Sequence, residues 1–562
     1  MPKKDWERLH RFTPEKLAAA RLVLDEIRSG TSVMRAIQNH PLPGGGHVAK
    51  HVLVAVYHDR VERGEIPADP LLLARIRMKP MRSLSGVTTV TVLTQPHPCP
   101  GECIFCPEDV RMPKSYLPDE PAAARALENK FDPFVQVRSR LDSLTAVGHP
   151  TDKVELLVLG GTWNAYPADY QEWFIQRCLD ALNQKESLSL EEAQTANETA
   201  PHRNVGLSVE TRPDEISPAI LARLRELGVT KVQMGAQSFN DAILENSRRG
   251  HTTADTLRAC ALLRAAGFKI VLHWMPNLPG ATLDSDREDF SRMWKTILDQ
   301  EDDTVLSGFC PDEIKIYPTQ LLENTELYQL WQRGEYQPYT TEQLIDLIAD
   351  IKSAIPAYCR VNRIIRDIPS EHVVAGNKRT SLRQDVLEEV ARRGQRCRCI
   401  RCREVRAEHV HPEELELKDL IYYPAYAEEH FLSFVTPQDR LAGYLRLSLP
   451  MYSFPPLTGL QKSALERWMQ DWEQYFQSDL KNAAIIREVH IYGQALPIGS
   501  EKEGAAQHIG LGTTLLQKAE DIARLRGYSR MAVIAAIGTR PYYANRGFKP
   551  GNLYMVKDLE AN

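Results

Sequence analysis

The chain reads as a multidomain α/β and α+β protein: a helical N-terminal module, a β/α barrel, and then a separate α+β domain. Three observations predict this. Between about residues 76 and 360, strand-like apolar runs alternate with amphipathic helical stretches, as in a parallel sheet or barrel with helices outside. Residues 1–75 carry apolar residues at helical spacing only. Beyond an Arg- and Cys-rich segment at Arg392–Arg406 the order becomes strand, glycine loop, helix, strand and short helix. The 562 residues, 43% hydrophobic and 25% charged, are ordinary for a globular protein of two to four domains. A net charge of -5 means that any nucleic-acid site is a local basic patch. The start, Met1 to Trp6, has no apolar signal core. No run approaches the ~20 apolar residues that cross a bilayer, so the expectation is cytoplasmic, with no membrane partner.

In order along the chain, the spacing predicts helices over Trp6–Ser29 and His47–Glu62, separated by a Pro- and Gly-rich loop at 41–46. Barrel strands are expected at Val87–Thr94, Lys153–Leu159, Val205–Val209, Val232–Gln237, Lys269–Trp274 and Glu313–Tyr317. Helices are expected at Ala168–Leu182, Pro218–Leu227, Thr253–Ala266 and Asp284–Leu298. The last domain should hold a strand at Ala484–Tyr492, a helix at Thr513–Leu525, a strand at Met531–Ala536 and a short helix around Tyr542. The boundaries are drawn at 1–75, 76–380, 381–410 and 411–562. Chemistry in such a barrel sits at the carboxyl ends of the strands.

Six of the ten cysteines fall into two tight groups, which in a reducing compartment points to metal or cluster ligands rather than disulfides. Cys99, Cys103 and Cys106 directly follow the first barrel strand with C-x3-C-x2-C spacing. Three thiolates so spaced can hold three irons of a 4Fe-4S cluster and leave the fourth open to chelate S-adenosylmethionine (SAM). The alternatives are a zinc knuckle or inert thiols, but a structural zinc wants a fourth ligand nearby. This motif at the end of a first barrel strand resembles the radical-SAM superfamily over residues 80 to 360. Gly160, Gly161 and Thr162 end the second strand where that superfamily places a turn for the methionine amino group. Glu210, Arg212 and Gln237 resemble its polar shell around SAM, although polar residues are ordinary at a barrel mouth.

Gln507-His508-Ile509-Gly510-Leu511-Gly512-Thr513 opens a helix, where exposed N–H groups and the helix dipole favour a pyrophosphate. The run has the Q/R-x-x-G-x-G/A form of GNAT acetyltransferases. In that family the preceding strand, here Glu488, Val489, His490 and Ile491, pairs with the pantetheine arm of acetyl-CoA. A tyrosine after the next strand, Tyr542 or Tyr543, reaches the thioester. A dinucleotide site is disfavoured because the loop lies outside any βαβ unit.

A radical-SAM barrel followed by a GNAT domain resembles the catalytic subunit of Elongator. Runs that match that family are Lys79–Val87, Val209–Asp214, Arg249–Thr252, Lys315–Thr319, Arg366–Pro369 and Tyr554–Lys557. Many members carry a longer insertion between the first two cluster cysteines; the short spacing here marks a prokaryotic type. The resemblance implies acetyl-CoA contacts at Lys153, Glu488–Ile491, Leu511–Thr513 and Tyr543, catalytic roles for Lys153, His490, Tyr542 and Tyr543, and an N-terminal module that binds tRNA. It implies a tRNA anticodon stem-loop as substrate, SAM, acetyl-CoA and an electron donor. It leaves open that the chain acts without accessory subunits. The implied reaction is radical attack on the acetyl methyl, addition to carbon 5 of the wobble uridine, and hydrolysis to a carboxymethyl group. The rival expectations are a protein lysine acetyltransferase with a structural cluster, using Glu488 or His490 as base, and a non-catalytic tRNA-binding subunit.

Cys397, Cys399 and Cys402 form C-x-C-x2-C, which suits a zinc ion lacking one ligand. Cys310, His409 and His411 are candidates for the fourth, with Cys310 preferred because it precedes the strand read as the last of the barrel. Arg392, Arg393, Arg396, Arg398, Arg401, Arg403 and Arg406 flank this group. Together they are expected to exceed the nearby acids and to face RNA phosphates. Lys378-Arg379 and Arg75, Arg77, Lys79 and Arg82 are further basic runs.

Overall fold

A computed structural model describes residues 12–83, 85–294, 297–299, 304–306, 308–406, 410–424, 427–450, 463, 466–467, 469–492 and 510–559. The N-terminal module consists of helices α1 (Pro14–Arg28), α2 (Val33–Asn39), α3 (Lys50–Glu62) and α4 (Pro70–Ile76). Thr13, Ser32 and Asp69 cap α1, α2 and α4 by accepting from free N–H groups of the first turn. Val23, Leu24, Ile27, Val52, Leu53 and Val56 form their shared core.

The barrel strands are β1 (Thr88–Leu93), β2 (Lys153–Leu159), β3 (Arg203–Thr211), β4 (Lys231–Gln237) and β5 (Lys269–Trp274). An antiparallel ribbon of β6 (Ile297–Asp299) and β7 (Thr304–Leu306) follows, then β8 (Glu313–Ile316) and β9 (Arg360–Arg363). The parallel sheet runs β1-β2-β3-β4-β5-β8-β9, so β1 and β9 are its two edges and the barrel is a half-barrel. Val90, Val92, Val154, Leu156 and Val158 share one buried core with Phe174, Leu179 and Leu182 of the helix Ala168–Asn183.

Two expectations are corrected. The helix expected to reach Leu298 ends at Arg292; β-branched Ile297, Thr304 and Val305 favour the ribbon instead. The strand at Glu313 is not the last of the barrel, because the short polar β9, Arg360-Val361-Asn362-Arg363, adds to it.

The second sheet contains β10 (Glu416–Tyr422), β11 (Ala427–Val435), β12 (Leu441–Pro450), β13 (Ala483–Ile491), β14 (Arg530–Val533), β15 (Lys549–Pro550) and β16 (Met555–Asp558). Their order is β10-β11-β12-β13-β14-β16-β15. β13 pairs in parallel with β14 only over Ala483–Ile486. Beyond that point the β14-side edge of Arg487–Ile491 is not continued by β14.

This sheet docks on the amino ends of the barrel strands through buried charge. Asp312, fully buried, meets Arg487 at 3.0 Å and Arg446 at 3.3 Å. Glu429 meets Arg487 at 2.8 Å and Arg264 at 3.6 Å. Burial raises the Asp312 carboxyl, but Arg487, Arg446 and Arg264 together hold it at about 2. Arg225 of the barrel donates to the carbonyls of Ala535 and Leu553, and the Tyr554 hydroxyl donates to the Ala266 carbonyl.

Candidate active site

Cys99, Cys103 and Cys106 stand past the carboxyl end of β1, facing the barrel interior. The Gly101 N–H donates to Cys99 Sγ at 3.4 Å and Arg249 Nη1 to Cys103 Sγ at 3.5 Å. The Cys103 thiol is brought down to about 5 by its hydrogen bond with Cys106, against burial, with Arg249 and Arg212 adding to the effect. Cys106 is pushed up by the same hydrogen bond and by burial. The turn after β2 depends on glycine: Gly160 has φ +144°, and a Cβ there would stand 1.8 Å from Thr94 Oγ1. Thr162 Oγ1 lies 3.6 Å from Cys99 Sγ.

The polar residues expected around SAM gather here. Glu210 accepts from the Tyr116 hydroxyl at 2.6 Å and pairs with Lys315 at 3.5 Å. Arg212 pairs with Asp214 at 2.8 Å, yet its Nη1 has no hydrogen-bond partner. Gln237 Oε1 and both ring nitrogens of His251 are likewise buried without one. Burial and the positive charge of Arg249 hold the His251 imidazole down at about 3, despite Asp214. Orphaned polar atoms around three thiols, one of them favouring the thiolate, are what an iron–sulfur cluster with a polar ligand would satisfy. Among the described residues, only Cys397, Cys399 and Cys402 converge on an ion-sized site. Sequence reasoning does not single out Arg249, His251, Tyr116 or Lys315 as site residues; the run Arg249–Thr252 holds the signal.

One cavity of about 980 Å³ is lined by these cysteines, by polar side chains inside the barrel, and by Glu488, His490, Tyr444 and Tyr492 of the second sheet. Inside it, Lys231 pairs with Glu155 at 2.7 Å and Glu313 at 3.1 Å. Burial opposes ionisation of Glu155, but Lys231 and Lys269 hold its carboxyl at about 2. Glu488 is locked between Lys269 at 3.1 Å and Arg446 at 3.0 Å. His490 packs with the Tyr444 and Tyr492 rings, 5.8 Å and 4.4 Å away. Burial holds it at about 4, so the imidazole is neutral, and its Nε2 has no hydrogen-bond partner.

The glycine motif begins a helix, Leu511–Leu525, with Gly510 at its N-cap at φ +76°. A Cβ on Gly512 would lie 2.9 Å from Tyr542 Oη and 3.8 Å from Ile491 Cγ1, so the helix start abuts the end of β13. The Arg546 guanidinium stacks 3.6 Å over the Tyr542 ring and donates to Thr513 Oγ1 at 3.4 Å. Tyr542 therefore faces the motif, whereas Tyr543 is buried against Phe548. Val489 and Ile491 are half-buried on β13. Gln507 lies outside the described residues. Lys153 starts β2, at the barrel's amino end, in register with Arg203 of β3, on which Ile537–Thr539 packs. It does not line the cavity.

In the second cysteine group, the sulfurs of Cys397, Cys399 and Cys402 lie within 4.8 Å of one another. Lys352 Nζ, fully buried, stands 3.1 Å from Cys397 Sγ and 3.9 Å from Cys402 Sγ. Cys310 is not brought to them. Its thiol lies beside Tyr358 and Arg264, where burial pushes it up. His409 lies outside the described residues.

Acids answer some of the flanking arginines but not all of them. Arg392 and Arg393 pair with Glu389, Arg393 also with Asp346 and Asp350, and Arg396 and Arg403 with Asp439. Arg401 and Arg406 line the cavity. Arg75 and Arg77 donate within the N-terminal region, to backbone carbonyls and to Ser83, and Arg379 pairs with Asp385. Glu389 and Asp385 are local partners, whereas Asp346, Asp350 and Asp439 come from distant segments and are invisible in the local sequence.

Comparison with known proteins adds to this geometry. The Radical SAM superfamily pattern matches residues 97–293, and the Radical SAM C-terminal domain matches residues 311–392. The tRNA uridine(34) acetyltransferase of Methanocaldococcus infernus is 40% identical over 87% of this chain and 89% of its own length. That of Dehalococcoides mccartyi is 42% identical over 85% of this chain and 99% of its own. Elongator complex protein 3 of Homo sapiens is 34% identical over 87% of each chain. The structure of an N-terminally truncated Elp3 from Methanocaldococcus infernus superposes with TM-score 0.69 at 36% identity, covering 84% of this chain and 99% of that one.

Proposed function

The chain belongs to the radical-SAM family of tRNA uridine(34) acetyltransferases and Elongator protein 3, and from that premise we propose that it modifies the wobble uridine of tRNA at carbon 5, using acetyl-CoA to install a carboxymethyl-type group. When bound, a 4Fe-4S cluster and SAM supply the radical chemistry. Cys99, Cys103 and Cys106 would hold the cluster. Gly160, Gly161 and Thr162, with Glu210, Arg212 and Gln237, would receive the polar groups of SAM.

Among the described residues, no strand pairs with the β14-side edge of Glu488–Ile491, which supports pairing with a pantetheine arm. The N–H groups of Leu511 and Gly512 would take the pyrophosphate beside Thr513, whose own N–H donates to the Gly510 carbonyl, with Tyr542 covering them and Lys153 approaching from the barrel side. Neutral His490 can accept a proton at Nε2 from the water that hydrolyses the thioester. Cys397, Cys399 and Cys402 would hold a zinc ion that ties the linker at 381–410 to the barrel, with Lys352 offsetting thiolate charge. A tRNA anticodon loop presents a base that can be unstacked into a buried site, and residues 1–75 would add tRNA contacts. No described helix is long and apolar enough to cross a membrane.

The observation that carries this reading is the single cavity lined both by the three cysteines and by Glu488 and His490. Its test is anaerobic reconstitution with iron and sulfide, followed by SAM and a one-electron reductant. Iron–sulfur absorbance and release of 5′-deoxyadenosine are expected, and both are lost in Cys103→Ser. Zinc or cobalt filling the three cysteines, with no deoxyadenosine released, would contradict it.

A further inference from the structure

Addition of a carbon radical to carbon 5 of a uracil ring leaves a hydrogen on that carbon and moves the unpaired electron to carbon 6. The planar base returns only when this hydrogen leaves as a proton and one electron leaves with it. The proton needs an acceptor inside the barrel. His273 is the penultimate residue of β5 and lines the cavity beside Lys315, its in-register neighbour on β8. Chemistry in a β/α barrel is placed at this end of the strands. Two neighbours fix the ring in one tautomer. Gln233 of β4 donates through its amide nitrogen to Ser208 Oγ at 2.9 Å. Its amide oxygen therefore faces His273, whose Nε2 lies 3.3 Å away and donates to it. Nδ1 is left as a bare acceptor, and among the described residues nothing donates to it. Neighbouring polar groups are engaged. Glu210 accepts from Tyr116 at 2.6 Å and pairs with Lys315 at 3.5 Å. Lys315, which also lies over the Tyr317 ring, has no lone pair while it is charged. Burial, then the positive charge of Lys315, Arg366, Arg249 and Arg363, depresses the His273 imidazole well below its ordinary value, so the ring is neutral before reaction.

We infer that His273 is the base that takes the carbon 5 proton from the uridine adduct, through Nδ1. The inference rests on the uridine reading above. The C–H bond breaks, the proton goes to Nδ1, and the bonding pair stays on the base as a radical anion. That anion is oxidised by one electron, which returns to the oxidised iron–sulfur cluster and reduces it, and the double bond between carbons 5 and 6 is restored. The imidazolium then gives its proton to solvent. The cations that keep the free imidazole neutral also favour this step, because they stabilise the negative charge that develops on the base. Gln233 is a positioning residue: it holds the tautomer whose Nδ1 carries the lone pair.

The test uses full-length, reconstituted His273→Gln with SAM, acetyl-CoA, a reductant and tRNA. 5′-Deoxyadenosine should still form and still carry deuterium from trideuterated acetyl-CoA, because hydrogen abstraction precedes the adduct. Modified uridine should fall about 10²- to 10⁴-fold, the usual contribution of a general base. A tRNA with deuterium at carbon 5 of the wobble uridine gives a readout that a packing role would not move. The residual turnover of His273→Gln should show a larger primary isotope effect than wild type, since proton loss becomes the slow step. Gln233→Leu keeps the imidazole but frees its tautomer. It should slow turnover about tenfold, the contribution of one hydrogen bond, with the same rise in isotope effect, and it replaces His273→Gln if that variant binds no iron. Wild-type protein that modifies no uridine would sink the uridine reading itself. Modification by iron-replete His273→Gln at the wild-type rate, an unchanged isotope effect, or loss of modification together with 5′-deoxyadenosine would overturn the role of His273 alone.

Discussion

Arg249 prepares a sulfur rather than a substrate. Its guanidinium faces Cys103, and with Arg212 it helps keep that thiol near 5 although burial works the other way. Arg249→Leu should raise the thiol toward its ordinary value. Alkylation of Cys103 in the cluster-free protein at pH 6.5 should then slow, by up to about tenfold for each pH unit that its ionisation moves above the assay pH, as read by peptide mass analysis. His490 is prepared in the opposite sense. Its folded value of about 4 lies below the ordinary 6.5, so between these values the unfolded chain takes up a proton that the folded chain refuses. Stability should therefore fall as pH drops from about 6.5 to 4 and be flat above this window. His490→Gln should remove that component of the slope in urea unfolding at stepped pH. It should also lower product formation about 10²- to 10⁴-fold, the usual contribution of a general base, with acetyl-CoA affinity retained.

At the scale of elements, two turns depend on backbone that a side chain would fill. Gly160→Ala would drive a methyl group into Thr94 Oγ1 at a φ that disfavours side chains. SAM binding should be lost while acetyl-CoA binding persists, both measured by calorimetry. Gly512→Val would press on the Tyr542 hydroxyl at the helix start and should show the reverse pattern. These turns are legible in the sequence because Gly-Gly-Thr after a strand and Gly-x-Gly before a helix are local signals. The strands of the β-rich half are less so. β10 is half-exposed, and nearly every residue of β11 and β12 is buried, so β11 and β12 lack the period-two alternation that marks a strand. β9 escapes sequence reasoning for a related reason: it is four residues long and polar, with only Val361 buried.

Across the whole molecule, the two halves are held by a buried charge network shared between them. Asp312 precedes β8, while Arg446 and Arg487 come from the second sheet. Asp312→Ala would leave Arg487 with Glu429 alone and Arg446 with Glu488 alone, so three buried guanidinium groups, Arg264 included, would face two carboxylates, at a cost of up to about 3–5 kcal/mol. Thermal unfolding should show a lowered midpoint and loss of both SAM cleavage and acetyl-CoA binding. This coupling could not be read from sequence, since an acid 134 residues before its partner Arg446 leaves no local trace. The same holds for the arginines near Cys397–Cys402, whose partners at Asp346, Asp350 and Asp439 lie outside their own segment.

The most direct measurement is mass analysis of tRNA nucleosides after the reconstituted protein is incubated with SAM, a reductant and acetyl-CoA carrying ¹³C at both acetyl carbons. A wobble uridine heavier by a carboxymethyl group containing both labelled carbons is the result this account predicts. SAM cleaved with the tRNA unchanged, and the label found on protein lysines instead, would contradict it.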